Sequence, residues 1–349
     1  MNAESLFEPI DNSLPDYSKY YKVPRQETHT TDFWTNILYR KGYETLDEKW
    51  PVVIPSYNRP DNKFLIWTKK YMRENRKWPV YFIVRESQKE MYEKAIEGYD
   101  SYNIVSFKDE LINDIGKVRE QAVNYFYNLG YKFMFMIDDD ITDFGYTVPL
   151  YRNGLRVSYT YRAKDFGGVI AMWQLAMMAA CKKEPKTVLS SGAVQGFSWV
   201  EDTCFETKSC VFMRGLPTLA VCLNLQVLHD AGLNYRTIVN NGHDDIDLLI
   251  RALLKGCVTA DFRWLSYGNP GVGTSLLGFD TVKERFEKQY NEMYANFKDV
   301  PFVKWRERKG IKNVGIVWTK CIDYFFNNGF GNFKNNRSFD IWDGGKLLG

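Results

Sequence analysis

Between residues 50 and 140 the chain repeats one pattern, a short apolar run, a turn signal and an amphipathic stretch with helical spacing. Runs at 50–55, 80–84, 102–107 and 133–137 read as buried strands, and 64–76, 86–96 and 115–129 as the helices between them. A helix between two strands returns the chain to the same sheet by a right-handed crossover, so this stretch predicts a parallel sheet covered on both faces. Composition agrees, since 349 residues at 45% hydrophobic and 16% aromatic exclude disorder, a collagen-like repeat and a small disulfide scaffold.

Beyond the fourth strand the pattern loosens. A Tyr- and Arg-rich hairpin is expected at 150–162, then a Met/Ala helix, a turn around 190–192, and helices at 219–233, 244–254 and 281–297 before a Trp- and Lys-rich end. The expected organisation is an arm (1–48), an α/β domain (49–278) and a basic extension (279–349). Six Cys without a Cys-x-x-Cys pair predict reduced thiols rather than zinc. The acidic first residues lack a leader's basic and apolar parts, and the apolar stretch 167–180 is too short to span a bilayer, so a cytoplasmic protein away from membranes is expected.

Ligands of such sheets collect at the carboxyl ends of the strands, where Pro55–Arg59 and Asp138–Asp140 both fall. In extended chain Asp138 and Asp140 share a face while Asp139 points elsewhere. Adjacent carboxylates repel, and a Mg- or Mn-type cation carrying a diphosphate relieves that repulsion; the plain alternative is a solvated acidic loop. A second cluster, Gly242-His243-Asp244-Asp245-Ile246-Asp247-Leu248, opens a helix, where its acids serve either a site or only the helix dipole.

In order, Val52-Val53-Ile54-Pro55-Ser56-Tyr57-Asn58-Arg59, Gly116-Lys117-Val118-Arg119, Ile137-Asp138-Asp139-Asp140 and Gly242–Leu248 resemble the motifs of GT-A-fold nucleotide-sugar glycosyltransferases over residues 50–278. Residues 83–87, 234–235 and 242–248 look most like the phage and TET-associated glycosyltransferases, which decorate hydroxymethylated bases in DNA. The resemblance implies a Rossmann-like, mostly parallel sheet flanked by helices, with a basic helical and aromatic C-terminal extension. It implies a UDP-sugar donor lined by Pro55, Ser56, Tyr57, Arg59, Arg119, Asp138 and Asp139, and Mn2+ or Mg2+ on Asp140 with Asp138. Asp245 would be the base of an inverting transfer and Asp244 would hold the acceptor. The family's C-terminal His ligand has no counterpart, since no His follows His243.

The transferred sugar would be glucose or a pentose such as arabinose, and the acceptor a 5-hydroxymethylated pyrimidine in DNA, with a protein or glycan as the alternative. Residues 281–337 carry 12 Lys/Arg against 6 Asp/Glu in a chain of net charge +3, with aromatic residues interleaved. Trp305, Arg306 and Lys309 there, Arg152 in the hairpin, and His243 beside the acids are the candidate acceptor contacts. The glycine-rich stretch 268–275 could close over the donor. Two rival readings are a haloacid-dehalogenase-type phosphatase with Asp138 as nucleophile, suggested by Asp138-x-Asp140-x-Thr142, and a DNA-binding module with vestigial acids.

Overall fold

Short, largely apolar strands with charged helices between them can be satisfied only inside a covered sheet, and that is how residues 50–137 fold. The computed structural model describes residues 46, 48–74, 77–152, 155–194, 211–212, 219–237, 243–268, 281–308, 311–330, 338–339, 342–343 and 346–347. Apart from residues 46 and 48, the expected arm lies outside them, as does most of the glycine-rich stretch.

Strand β1 (Val52–Pro55) leads to α1 (Lys63–Tyr71), β2 (Val80–Arg85), α2 (Lys89–Ile96), β3 (Tyr102–Phe107), α3 (Ile115–Asn128) and β4 (Phe133–Ile137). β1 pairs in parallel with both β2 and β4, and β2 with β3, giving the order 3-2-1-4. After β4 come the hairpin β5 (Asp143–Arg152) and β6 (Leu155–Arg162), then α4 (Phe166–Lys183), β7 (Thr187–Val194) and β8 (Val211–Phe212). β9 (Ala220–Asn224), α5 (Leu225–Asp230), α6 (Asp244–Leu254) and β10 (Val258–Gly268) follow. β9 runs antiparallel to both β4 and β7, while β10 is parallel to β7. The expected mostly parallel α/β sheet is therefore present, with β9 reversed between its two parallel parts. Polar side chains start the helices, Asn62 capping Leu65 N, Asp114 capping Lys117 N and Asp165 capping Gly168 N.

Four expectations are corrected. Residues 219–233 are not one helix but strand β9 followed by the single-turn α5. An apolar run buried on all sides has no polar face to declare its period, so strand and helix look alike in sequence. Residues 190–192 are not a turn but the middle of β7, where Ser190 is buried and its hydroxyl accepts from Trp173 Nε1 at 2.9 Å. The hairpin begins at Asp143 rather than 150, and α1 stops at Tyr71, where Met72 N–H closes onto Thr68 O. The C-terminal part holds the expected helix and, in addition, strands. α7 (Val282–Phe297) is followed by an antiparallel hairpin, β11 (Val303–Arg308) and β12 (Ile311–Ile316), and then α8 (Trp318–Asn327).

The apolar faces of those last elements join the core of the sheet. Met293, Phe297, Phe302, Val314, Ile316 and Phe325 belong to the same buried cluster as Phe64, Phe135, Trp173 and Phe262. Two-residue strands follow at Ser338–Phe339 (β13), Trp342–Asp343 (β14) and Lys346–Leu347 (β15), with β13 pairing β8 and β14 pairing β15.

Candidate active site

At the carboxyl end of β1, Pro55 and Ser56 are buried and Tyr57, Asn58 and Arg59 emerge. Asn58 takes a left-handed turn at φ 53, held by Gln88: Asn58 N–H donates to Gln88 Oε1 (3.0 Å) and Gln88 Nε2 to Asn58 Oδ1 (2.7 Å). The turn sends its neighbours apart. Tyr57 lies exposed under the Arg85 guanidinium, 4.3 Å from its ring centroid, while Arg59 reaches Asp139 Oδ1 at 2.9 Å. Ser56 Oγ donates to Asp139 Oδ2 (2.6 Å) and so accepts from the Tyr92 hydroxyl (2.7 Å), which accepts from Arg59 N–H (3.0 Å). A closed ring of hydrogen bonds thus locks the β1 exit onto Asp139. Burial holds the Asp139 carboxyl and the Tyr92 phenol above their ordinary ranges, against the pull of Ser56 and Arg59.

Asp138 lies just past β4, in a turn closed by Ile141 N–H onto Asp138 O, and turns the other way, to Arg119 of α3. Arg119 Nη2 donates to Asp138 Oδ1 at 2.6 Å and Nη1 to Asp244 Oδ2 at 2.7 Å, with its guanidinium 5.7 Å from the ring of buried Tyr235. Burial pushes the Asp138 carboxyl up to about 6, opposed by Arg119 and reinforced by Asp140. One guanidinium therefore joins the two acidic clusters that lie far apart in sequence.

Asp244 and Asp245 open α6, behind His243 in a left-handed conformation at φ 59. Asn58 and His243 are the two non-glycine residues with positive φ among the described residues, and both border this site. Asp245 is half-buried; burial first, then the neighbouring charge of Asp244, push its carboxyl up to about 7. Burial pushes His243 down to about 4, with Arg285 adding to the effect and Asp244 opposing it, so its ring is neutral at physiological pH. Its Nε2 is buried with no hydrogen-bond partner among the described residues, and its ring meets Phe286 of α7 at 6.4 Å.

Asp247 serves the fold. Fully buried, it accepts from Arg236 Nη2 (2.7 Å) and Arg251 Nε (2.7 Å) and ties α6 to the chain entering it. Removing one partner of a buried ion pair costs about 3–5 kcal/mol. Asp247→Ala is expected to lose that much stability in urea unfolding, and an unchanged midpoint would refute the assignment.

The expected acceptor contacts separate. His243 adjoins the acids. Trp305 packs edge-on against Tyr290 (5.2 Å) and Tyr294 (4.9 Å) of α7, which places it in the seat of the β11–β12 hairpin. Arg306 is exposed on that hairpin, Arg152 ends β5 opposite Leu155, and Lys309 lies outside the described residues, as do 238–242. Tyr92 had no signal in the sequence, where it reads as an ordinary apolar-face aromatic, and Tyr235 entered only as part of the 234–235 resemblance, without a role.

Among the described residues no group of three or more His, Cys, Asp or Glu side chains is arranged to hold a metal. The Asp138–Asp140 crowding still fits a hard cation. Such ions take one or two carboxylates and complete their shell with diphosphate oxygens, and both Asp138 and Asp139 feel the Asp140 charge.

The family of TET-associated glycosyltransferases matches residues 50–272, well over half of the chain. The protein belongs to that family. It is an enzyme, a glycosyltransferase, and the phosphatase reading of Asp138 falls with this. In keeping with that, β4 is the fourth strand of its domain and Asp138 is engaged by Arg119. Nothing matches among curated proteins. Several solved structures are similar at low identity. TarS from S. aureus in complex with UDP-GlcNAc is 12% identical, over 71% of this chain and 65% of that one, with a TM-score of 0.42. Glucosyl-3-phosphoglycerate synthase from Mycobacterium tuberculosis, with Mg2+ and UDP, is 9% identical over 80% of this chain and 90% of that one (TM-score 0.41). GalNAc-T7 with UDP, GalNAc and Mn2+ is 10% identical over 63% of this chain and 43% of that one (TM-score 0.42). No helix among the described residues is long and apolar enough to cross a membrane.

Proposed function

We propose that this glycosyltransferase moves a sugar, glucose or a pentose such as arabinose, from a UDP-sugar to the hydroxyl of a 5-hydroxymethylated pyrimidine in DNA, with inversion. The observation that carries the reading is the Arg119 bridge, which puts the carboxylates at the head of α6 one guanidinium away from the carboxylates at the end of β4. A donor bound on the β1 and β4 exits then faces a base.

In this mechanism Asp245 accepts the proton of the acceptor hydroxyl as its oxygen bonds to the anomeric carbon. The bond from that carbon to the diphosphate oxygen breaks, and the nucleoside diphosphate leaves. A carboxyl lifted to about 7 is a stronger base than an ordinary Asp and is still ionised in substantial part at neutral pH. Asp244 orients the acceptor beside it, and neutral His243 offers its buried Nε2 to an acceptor hydroxyl. Tyr57 presents an exposed ring face to the uracil, and the locked Ser56–Asp139–Arg59 turn holds the donor side. Asp140 with Asp138 would hold Mn2+ or Mg2+, which when bound neutralises charge on the diphosphate.

The basic 281–337 region, exposed Arg306 included, suits a polyanionic acceptor, and the domain from 49 to 278 would carry the chemistry with 279–349 on the acceptor side. Nucleotide sugars and DNA meet in the cytoplasm, where the reaction is placed. The test is to incubate the protein with a panel of UDP-sugars, Mn2+ or Mg2+, and hydroxymethylated DNA. UDP release with a mass increase of one sugar on the modified base is expected. Sugar appearing only on a protein or glycan would replace DNA as the acceptor, and no UDP release from any donor would overturn the reading.

A further inference from the structure

We propose that Arg119 is the positioning residue of this enzyme, one guanidinium that fastens Asp244 at the head of α6 to Asp138 at the end of β4 and so sets where Asp245 stands relative to the donor. The resemblance to glycosyltransferases implies instead that Arg119 approaches the nucleotide sugar. The structure leaves it little reach for that. Both terminal nitrogens are engaged by carboxylates, at 2.7 Å to Asp244 and 2.6 Å to Asp138, and the side chain is only 11% exposed. The inference rests on Asp245 being the base.

Arg119 is also the last of a series of ties between α3 and the chain that leads into α6. Asn234 Nδ2 donates to Asn124 Oδ1 at 2.8 Å. Thr237 Oγ1 donates to Asp114 at 2.7 Å. Gly116 lies so close to the following chain that a Cβ there would come within 2.9 Å of Arg236 O, so the backbone of 236–237 rests directly on the first turn of α3. Asp114 also caps α3 itself, through Lys117 N at 3.0 Å. The helix thus acts as a template along which residues 234–237 are laid, and Arg119 takes hold again at Asp244, the residue next to Asp245. The later turns of α6 are fixed by Leu248 and Leu249 in the two cores and by Asp247 between its arginines. Its first turn has Arg119 as its described ion-pair partner.

Two carboxylates held by two separate nitrogens of one plane need a guanidinium, because an ammonium is a point charge that cannot span both. Arg119→Lys keeps a cation at the position and is the main variant, with Arg119→Met as the second. With the chain otherwise intact, kcat at saturating UDP-sugar and acceptor is expected to fall about 100-fold, the cost of a small misplacement of reacting groups. UDP affinity by calorimetry should stay within a few-fold of the unsubstituted enzyme. Amide exchange of residues 244–248 should quicken while that of α3 does not, and Thr237→Val, which removes an exposed tie, should leave kcat in place.

A loss of UDP affinity with kcat retained would make Arg119 a ligand contact and overturn the proposal. Unchanged exchange at 244–248 would overturn it as well. Failure of the unsubstituted enzyme with every nucleotide sugar would instead sink the functional reading, and the exchange measurement alone would then decide whether Arg119 fastens α6.

Discussion

Asp245→Asn is expected to reduce glycosyl transfer by a factor of roughly 10²–10⁴, the range that a positioned general base contributes, with little change in donor affinity. The substitution keeps size and hydrogen-bonding capacity and removes only the proton acceptor. In the unsubstituted enzyme, activity should rise as pH increases through 7, because the carboxyl pushed up to about 7 must be ionised to accept the proton. Between pH 6 and 8 that amounts to a gain of roughly tenfold for a single group titrating near 7. Stability moves the other way. A carboxyl whose pKa is raised in the folded state binds its proton more tightly there than in the unfolded chain, so the protein loses stability as pH climbs from about 4 towards 7. Asp245→Asn has no such penalty and should melt no lower than the unsubstituted enzyme at pH 8. Initial rates across pH, with melting curves beside them, check both signs; full activity in Asp245→Asn would remove Asp245 from the role.

Asp140→Ala is expected to lower metal-supported kcat/KM by roughly 10²–10³, the scale of losing one electrostatic stabiliser of a developing anion. Asp140 contributes repulsion to both Asp138 and Asp139, and each of those has an arginine partner that the substitution leaves in place. Titration of Mn2+ in the presence of UDP is the direct measurement, with weaker binding in the variant expected. Mn2+ binding and turnover equal to those of the unsubstituted enzyme would assign the metal elsewhere. Removing divalent cations with a chelator should mimic the substitution in the unsubstituted enzyme and do little more to the variant.

The parts of the site that sequence revealed are those where local chemistry leaves a mark. Three consecutive Asp after five apolar residues mark the end of a buried strand, and acids at the start of an apolar-periodic segment mark the head of a helix. What each carboxylate does left no such mark. Asp138 and Asp139 are adjacent and chemically alike, yet one faces α3 and the other the β1 exit, and Asp247 looks the same as Asp245 in sequence but is consumed by Arg236 and Arg251. Tyr92 is a helix residue whose hydroxyl completes a ring of bonds 33 to 36 residues upstream, a contact that exists only once α2 has packed beside β1.

By itself the sequence determined the class of fold and pointed to the carboxylates at 138–140 and 244–245. Period and polarity are local properties, and alternating strands and helices with polar strand ends permit few arrangements. Where periodicity had no polar face to work on, as in β9, the local signal misled, because burial on every side erases the difference between a strand and a helix, and in β7 a Ser-Ser-Gly run that reads as a turn is buried within a strand. Tertiary structure alone decided how the acidic clusters around residues 138 and 244 are joined. Their junction is a buried arginine from a third element, and a charge can stay buried only where packing brings its partners to it.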